Sequence, residues 1–136
     1  MKISATVALL VEVLTGGTWE EMAKFCDGMS QGSLLCLDSL TVYSSIIEYL
    51  TANGLSEYSF WTDGNDRVLE GHFFHNNGYA VYMGTPYWAY TCNSQQECQQ
   101  EPLGGVQENC VEMDGGRFHY LNDVSCNEFK HVICQR

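Results

Sequence analysis

Polar side chains that could hold a metal ion gather in the last third of the sequence. Two carboxylates, Glu101 and Glu108, precede Cys110, and the pair Asn122-Asp123 stands just before Cys126. If the two cysteines form a disulfide, Glu108 and Asn122-Asp123 are held close together. Carboxylate and amide oxygens are the ligands that Ca²⁺ prefers, and the ion takes roughly six to eight of them. The sequence therefore predicts a Ca²⁺ site here, with a solvated acidic loop as the alternative.

The sequence carries no recognisable catalytic motif. It has neither the Gly-x-Ser-x-Gly turn of α/β-hydrolases nor the His-Glu-x-x-His zinc helix. The four histidines form no recognisable triad: His72, His75, His119 and His131. No two carboxylates stand out as the acid and base of a glycosidase. We therefore predict a binding protein rather than an enzyme.

The net charge of the chain limits the kinds of molecule that it could bind. The chain has 17 Asp and Glu residues against 6 Lys and Arg, which gives a formal net charge of -11. Such a surface repels phosphate and lacks the cations that displace counterions from nucleic acid, so we predict no nucleic-acid partner. No apolar run reaches the roughly eighteen residues of a membrane-spanning helix, so we predict no membrane insertion.

The cysteines favour an oxidising compartment. There are seven in 136 residues, and no Cys-x-x-Cys pair points to a zinc or redox motif. Dispersed cysteines in a small acidic chain favour disulfides. Because the number is odd, at least one thiol stays free or pairs with another chain. We expect the leftover thiol to be a buried cysteine in apolar surroundings.

Residues 1–17 have two interpretations. Lys2 is followed by a mostly apolar stretch, and the small residues Thr15 and Gly17 fit a signal-peptidase site, so this segment reads as a secretory signal. Glu12 interrupts the apolar stretch and counts against that interpretation. The alternative is a first β-strand over residues 5–13, which are rich in Val and Leu.

The remaining chain predicts helices first and strands later. Thr18 and Glu21 form a capping box for a helix over 19–29. A second helix has one apolar stripe and ends at Asn53-Gly54; the stripe consists of Tyr43, Ile46, Ile47 and Leu50. A strand or a bend is expected at 34–37, and short strands are expected at 58–61, 109–113 and 131–134. This order is α+β, in one domain.

These pieces together resemble the C-type lectin-like domain family over Thr18–Arg136. The matching segments occur in family order: 18–26, 34–39, 58–64, 70–73, 86–88, 101–102, 108–110, 121–126 and 132–134. The resemblance implies the α+β C-type lectin fold, with two helices, antiparallel strands and a long, loop-rich ligand-binding region. In the family a strand precedes the first helix; residues 5–13 could supply it unless 1–17 is removed.

The resemblance also implies the disulfide pattern. Two bridges are expected to join Cys26 to Cys134 and Cys110 to Cys126. Cys92 and Cys98 are expected to form a third bridge beside the long loop. That leaves Cys36 as the odd thiol, in a core segment. A cis peptide bond is expected before Pro102.

The resemblance further implies a sugar-binding Ca²⁺ site. Its four expected ligands are Glu101, Glu108, Asn122 and Asp123. Two sugar hydroxyls coordinate the ion, donate hydrogen bonds to the carboxylates and accept one from Asn122. Tyr120 and His119 are candidates to pack on the sugar's apolar face.

Two departures from the family pattern affect this site. The expected Glu-Pro-Asn or Gln-Pro-Asp triplet is completed here by Leu103, which supplies no ligand oxygen and leaves mannose-type or galactose-type binding undecided. A second Ca²⁺ site would use Asp66, Glu70 and Glu108. The acid expected after the triplet is Gly104, which leaves that second site incomplete.

The function implied is that of a secreted, extracellular, Ca²⁺-dependent lectin that recognises glycans, those of microbial surfaces included. The alternative is a lectin-like domain that has lost Ca²⁺-dependent sugar binding and recognises a protein partner. The sequence leaves the oligomeric state open, and a homo-oligomer is one alternative.

Overall fold

The computed structural model of the protein describes residues 10–29 and 32–135. Within these ranges the chain forms two α-helices and eight β-strands. The elements in chain order are β1 Leu10–Gly17, α1 Trp19–Asp27, β2 Ser33–Leu34, α2 Leu40–Ala52, β3 Phe60–Asn65, β4 Tyr90–Cys92, β5 Cys98–Gln100, β6 Cys110–Asp114, β7 Tyr120–Val124 and β8 Lys130–Gln135.

The strands form one large sheet and one small hairpin. The large sheet has the order β1-β8-β3-β6-β7, with β2 also paired to β8. The β3–β8 pair is parallel and the other pairs are antiparallel. Strands β4 and β5 pair only with each other. This arrangement is the predicted α+β class, with β3 at the centre of the sheet and β7 at one edge.

Both predicted helices are present with the expected caps. The Thr18 hydroxyl accepts from the Glu21 amide, and the Glu21 carboxylate accepts from the Thr18 amide, which completes the capping box. Helix α1 ends at Asp27 rather than at residue 29. Helix α2 starts at Leu40, after the Ser39 cap, which is earlier than its apolar stripe suggests.

The buried side chains of each helix pack against one face of the large sheet. Helix α2 covers a cluster that includes Ile46, Leu50 and Val111. Helix α1 covers a second cluster around Trp61 on the opposite side. The sheet is therefore buried on both faces, and burial of these side chains is the main source of its stability.

Three disulfides fasten this core, and they are the three pairs that the resemblance implies. Cys26–Cys134 ties α1 to β8, Cys110–Cys126 closes the end of the β6–β7 hairpin, and Cys92–Cys98 joins β4 to β5. In the chain-entropy account, the first of these, which spans more than a hundred residues, contributes about 4–5 kcal/mol to the free energy of unfolding.

The amino-terminal segment contributes a strand to the sheet. β1 runs antiparallel to β8, from the Leu10–Gln135 pair to the Gly17–Lys130 pair. Residues 1–9 lie outside the described residues, so the first half of the predicted 5–13 strand is not described. Cleavage after Gly17 stays a prediction. Neither helix, nor any other helical segment in the described ranges, has the length and apolar character needed to cross a membrane.

Candidate functional site

The β6–β7 hairpin sets the direction of the two expected ligands Asn122 and Asp123. Its register places Asn122 opposite Glu112 and Asp123 opposite Val111. Because side chains alternate along a strand, Asn122 and Asp123 leave β7 on opposite faces. Residues 87–89 pair with Leu121 along the edge of β7, and the Glu101 amide donates to the Ala89 carbonyl, which brings the loop that carries Glu101 and Leu103 to this edge.

Asp123 and Glu101 form the centre of the site. The Asp123 carboxylate is 1% exposed and accepts hydrogen bonds from the Leu103 amide at 3.2 Å and the Gly104 amide at 2.9 Å. The Glu101 carboxylate lies close enough to perturb it electrostatically. Burial, followed by the neighbouring Glu101, raises the pKa of Asp123 to about 6, although the two amides oppose the shift. The Glu101–Pro102 bond is cis, as expected.

Glu101 is buried, and only one of its two carboxylate oxygens has a hydrogen-bond partner in the described part of the chain. Its Oε2 accepts from the Thr91 hydroxyl and lies 3.6 Å from Nη1 of Arg117. Its Oε1 is buried and has no hydrogen-bond partner among the described residues. Arg117 is shared, since its Nε also pairs with Asp114 at 2.7 Å. A buried carboxylate oxygen without a partner is costly, so it marks a place where a cation or a hydrogen-bond donor would be stabilised.

Glu108 joins the site by packing over Gly104. A Cβ on residue 104 would overlap the Glu108 side chain, so glycine is what lets the two segments approach. Burial raises the pKa of Glu108, and three further carboxylates raise it more: Glu101, Glu128 and Glu112. The glycine at the position where the family expects an acid therefore has a local packing reason.

The Asn122 side chain is hydrogen-bonded to Glu112 rather than to the other expected ligands. Its amide nitrogen donates to Glu112 Oε2 at 2.9 Å, and Glu112 Oε1 lies 3.0 Å from the ammonium of Lys130. Among the described residues no hydrogen bond joins Asn122 to Glu101, Glu108 or Asp123. We call Glu101, Glu108 and Asp123 the carboxylate cluster, since these are the expected ligands that the fold brings around the backbone of residues 103–104.

The carboxylate cluster is open rather than compact. In the described part of the chain, these three side chains do not place one oxygen each within 4.8 Å of one another. All of its donors are carboxylate oxygens, and one of them is buried without a partner. The chemistry of these donors fits Ca²⁺, but the three side chains must move closer together to share one ion.

Two of the three expected ligands of the second site also meet. In the amide orientation that its neighbours favour, Asn109 Nδ2 donates to Asp66 Oδ1 at 2.9 Å and to Glu70 Oε1 at 3.1 Å. Burial, followed by Asp66, raises the pKa of Glu70. Glu108, the third expected ligand, instead packs over Gly104. The second Ca²⁺ site stays a prediction.

A cleft of about 320 Å³ adjoins the carboxylate cluster, and Arg117 lines it. Tyr120 lies in its wall and is 39% exposed, whereas Phe118 is 83% exposed. His119 is buried: its Nε2 is hydrogen-bonded to the Tyr58 carbonyl, so its ring cannot contact a sugar at the surface. Of the two aromatic candidates, Tyr120 alone keeps an accessible ring.

Sequence reasoning missed three residues that shape the site. Arg117 and Thr91 reach Glu101 from distant positions, and no sequence pattern connects them. Glu112 could have been found: in a hairpin closed at Cys110 and Cys126, register places it opposite Asn122.

Known proteins resemble the chain in both sequence and fold. A sequence model of the C-type lectin domain matches residues 15–136. A tetranectin-like protein of Carcharhinus perezii is 28% identical over 111 residues, which is 80% of this chain and 60% of that protein. The chain thus spans about 60% of the length of that relative.

Solved structures agree on the fold. TC14, a C-type lectin from the tunicate Polyandrocarpa misakiensis, has a TM-score of 0.75 at 16% identity, covering 94% of this chain and 96% of that one. A calcium-independent type II antifreeze protein has a TM-score of 0.67 at 17% identity, covering 98% and 92%. Since the domain match spans nearly the whole sequence, and the sheet, helices and disulfides take the arrangement it implies, the chain belongs to the C-type lectin domain family.

Proposed function

We propose that this domain binds carbohydrate through a Ca²⁺ ion held by the carboxylate cluster. The observation that carries the proposal is Glu101 Oε1, which is buried without a partner beside the protonation-prone carboxylate of Asp123. Carboxylates that face one another in a buried site repel, and a cation relieves that repulsion. The all-oxygen donor set favours Ca²⁺ over softer metals.

Each residue then has a definable role toward the sugar. Bound Ca²⁺ offers coordination positions to two neighbouring hydroxyls of a sugar. Glu101 and Glu108 accept hydrogen bonds from those hydroxyls, and charge-assisted bonds of this kind are strong. Asn122 has a second amide hydrogen beyond the one that Glu112 accepts, and it can donate this hydrogen to the sugar once the side chain turns toward the carboxylate cluster. Tyr120 offers its exposed ring to the apolar face.

We expect weak Ca²⁺ affinity, on the order of 10⁻⁴ to 10⁻³ M, the range of extracellular Ca²⁺-binding modules. Leu103 supplies no oxygen, and Arg117 places positive charge 3.6 Å from Glu101 Oε2. Asn122 must also turn from Glu112 if its carbonyl oxygen is to join the ligand set. These three features all oppose cation binding.

The proposal is tested by calorimetry and affinity chromatography. Ca²⁺ is titrated into chelator-treated protein, and the protein is then passed over mannose and galactose columns with Ca²⁺ and with EDTA. We expect saturable Ca²⁺ binding and retention that EDTA abolishes. Glu101→Gln removes both, whereas Glu48→Gln, the same change on the exposed face of α2, alters neither. Absence of Ca²⁺ binding at millimolar concentrations overturns the proposal.

We also propose that the domain acts outside the cell, on glycans that include those of microbial surfaces. Three disulfides support this location, because such bonds persist in oxidising compartments. A binding role predicts that chromogenic glycosides remain intact when incubated with the protein, and measurable turnover would contradict it.

A protein partner is the second candidate function. It is favoured by apolar side chains exposed around the carboxylate cluster, with Phe118 83%, Val106 69% and Leu103 47% exposed. The ion pair of Arg117 with Glu101 also satisfies part of the cluster without a metal. This candidate predicts no Ca²⁺ binding, and partner capture that Phe118→Ala abolishes but EDTA leaves intact.

A further inference from the structure

A second group of metal-binding side chains lies away from the carboxylate cluster. Cys36, Asp63 and His75 place a thiol sulfur, a carboxylate oxygen and a ring nitrogen within 4.8 Å of one another. Among the described residues, this is the only set of three His, Cys, Asp or Glu side chains that meets this distance. We call it the Cys36 cluster.

Three separate elements hold the Cys36 cluster together. Cys36 follows the short pairing of Leu35 with Thr62 on the central strand β3. Asp63 is the next residue of β3 and is 2% exposed. His75 lies in the loop beyond β3 and is 4% exposed. The cluster is thus built against the central strand of the sheet, with the imidazole and the carboxylate both buried.

Only one of the two ring nitrogens of His75 has a hydrogen-bond partner among the described residues. Its Nδ1 lies 2.7 Å from Asp63 Oδ1, while Asp63 Oδ2 accepts from the Asn76 amide at 2.9 Å. His75 Nε2 is buried and has no hydrogen-bond partner in the described part of the chain. An ion shared by His75 and Asp63 is bound through Nδ1, the ring nitrogen that faces the carboxylate, and the ring proton then lies on Nε2.

The Cys36 thiol has polar neighbours, so the expectation of apolar surroundings is wrong. It is half-buried, outside any disulfide, and accepts a weak bond from Asn77 Nδ2 at 3.7 Å. That same nitrogen donates to Asp38 Oδ2 at 3.3 Å, which places a further carboxylate beside the sulfur. Burial, then Asp63 and Asp38, raises the pKa of the Cys36 thiol, which argues against a nucleophilic role.

We propose that Cys36, Asp63 and His75 form a binding site for Zn²⁺, with Asp38 at hand as a fourth donor. Sulfur, nitrogen and carboxylate oxygen in a small cluster are the ligands that Zn²⁺ takes in tetrahedral sites. A thiol and an imidazole disfavour Ca²⁺, so the two clusters select different metals. On binding, the sulfur–metal bond replaces the sulfur–hydrogen bond, and one proton passes to solvent for each Zn²⁺ bound.

The proposal is tested with Co²⁺ and Zn²⁺ on chelator-treated protein whose Cys36 is shown by thiol titration to be free. Co²⁺ is expected to produce the thiolate charge-transfer absorption and the visible bands of a tetrahedral site, and Zn²⁺ to displace it. Because a proton is released, Zn²⁺ affinity is expected to rise about tenfold per pH unit near neutrality.

Variants separate this site from the carboxylate cluster and from misfolding. Cys36→Ser changes one atom and is expected to abolish the charge-transfer absorption and lower Zn²⁺ affinity at least about tenfold. His75→Gln is expected to lower Zn²⁺ affinity by the same factor, whereas Glu101→Gln leaves Zn²⁺ binding unchanged. Circular dichroism checks the folding of each variant. The proposal is overturned if Co²⁺ gives no thiolate band, or if Zn²⁺ fails to slow alkylation of Cys36 in the unmodified chain.

Discussion

The carboxylate cluster and the Cys36 cluster differ in how the fold supports them. Asp123 sits on the edge strand β7, and its partners Glu101 and Glu108 come from a loop with little regular structure. Asp63 sits on β3, at the centre of the sheet, and both of its carboxylate oxygens are hydrogen-bonded, one to the buried ring of His75 and one to the amide of Asn76. Each cluster has two buried side chains and one half-buried side chain, so the clusters differ in compactness and in the elements that hold them rather than in exposure.

That difference predicts different functions for similar chemical groups. An open set of oxygens at the molecular edge suits an ion that must also coordinate an external ligand such as a sugar. A compact sulfur, nitrogen and oxygen set suits an ion whose ligands all come from the protein, as in structural zinc sites. Carboxylates alone therefore do not define a site; their position in the sheet decides what they can bind.

The largest expected effect is a difference in the free energy of unfolding between isosteric amide substitutions in the two clusters. Asp63→Asn lowers the free energy of unfolding by about 1–3 kcal/mol, because an amide can keep only one of the two acceptor oxygens and leaves a buried donor without a partner. Glu101→Gln changes it by less than about 1 kcal/mol, since Thr91 and Arg117 keep other partners. Urea denaturation measures both. Equal losses would show that the clusters do not differ in support.

The pH dependence of the free energy of unfolding is a second property in which the two clusters are expected to differ. The pKa of Asp123 is raised from 3.8 to about 6 in the folded state. Between about pH 4 and pH 6, the native protein therefore binds a proton that the unfolded chain has lost, so the free energy of unfolding falls as pH rises through this window. Ca²⁺ binding requires the ionised form and should weaken below about pH 6.

Chemical denaturation between pH 4 and pH 7, without Ca²⁺, measures this dependence. Asp123→Asn should flatten the curve in that window, whereas Asp38→Asn, beside the Cys36 cluster, should leave its shape unchanged. An identical slope in the Asp123→Asn variant would mean that another group controls the transition.

The smallest expected effect sharpens the role of the carboxylate cluster. Leu103→Asn returns an amide oxygen and an amide donor to the position where the family carries them. Leu103 is 47% exposed, so the exchange costs little stability. We expect sugar affinity in Ca²⁺ to rise about tenfold, as one recovered hydrogen bond of about 1–3 kcal/mol allows. Leu103→Ala is the control and should give no gain on a mannose column.

Much of the fold was predictable because its signals are local. The capping box at Thr18 and the apolar stripe of α2 depend on residues three or four positions apart, and both helices form as expected. Strands β6 and β8 were placed within a residue or two. The β4–β5 hairpin and β7 were not predicted as strands, because their exposed or polar residues show no apolar alternation.

The site was predictable only in part. Resemblance to the family pointed to Glu101, Glu108 and Asp123, which the fold gathers around residues 103–104. It did not reveal that Asn122 would pair with Glu112 or that Arg117 would reach Glu101. These contacts depend on strand register and on a loop conformation, which are set by long-range pairing rather than by neighbouring residues.

The sequence by itself determined the acidic surface, the helices with their caps, and, through the family resemblance, the three cysteine pairs. The tertiary structure alone decided which side chains meet. Cys36, Asp63 and His75 are far apart in the chain and carry no shared motif, yet pairing beside β3 brings them within 4.8 Å. The physical reason is that the residues that signal a helix lie within one turn of each other in the sequence. A metal-binding cluster, in contrast, forms only after distant strands have paired in register and buried the side chains between them.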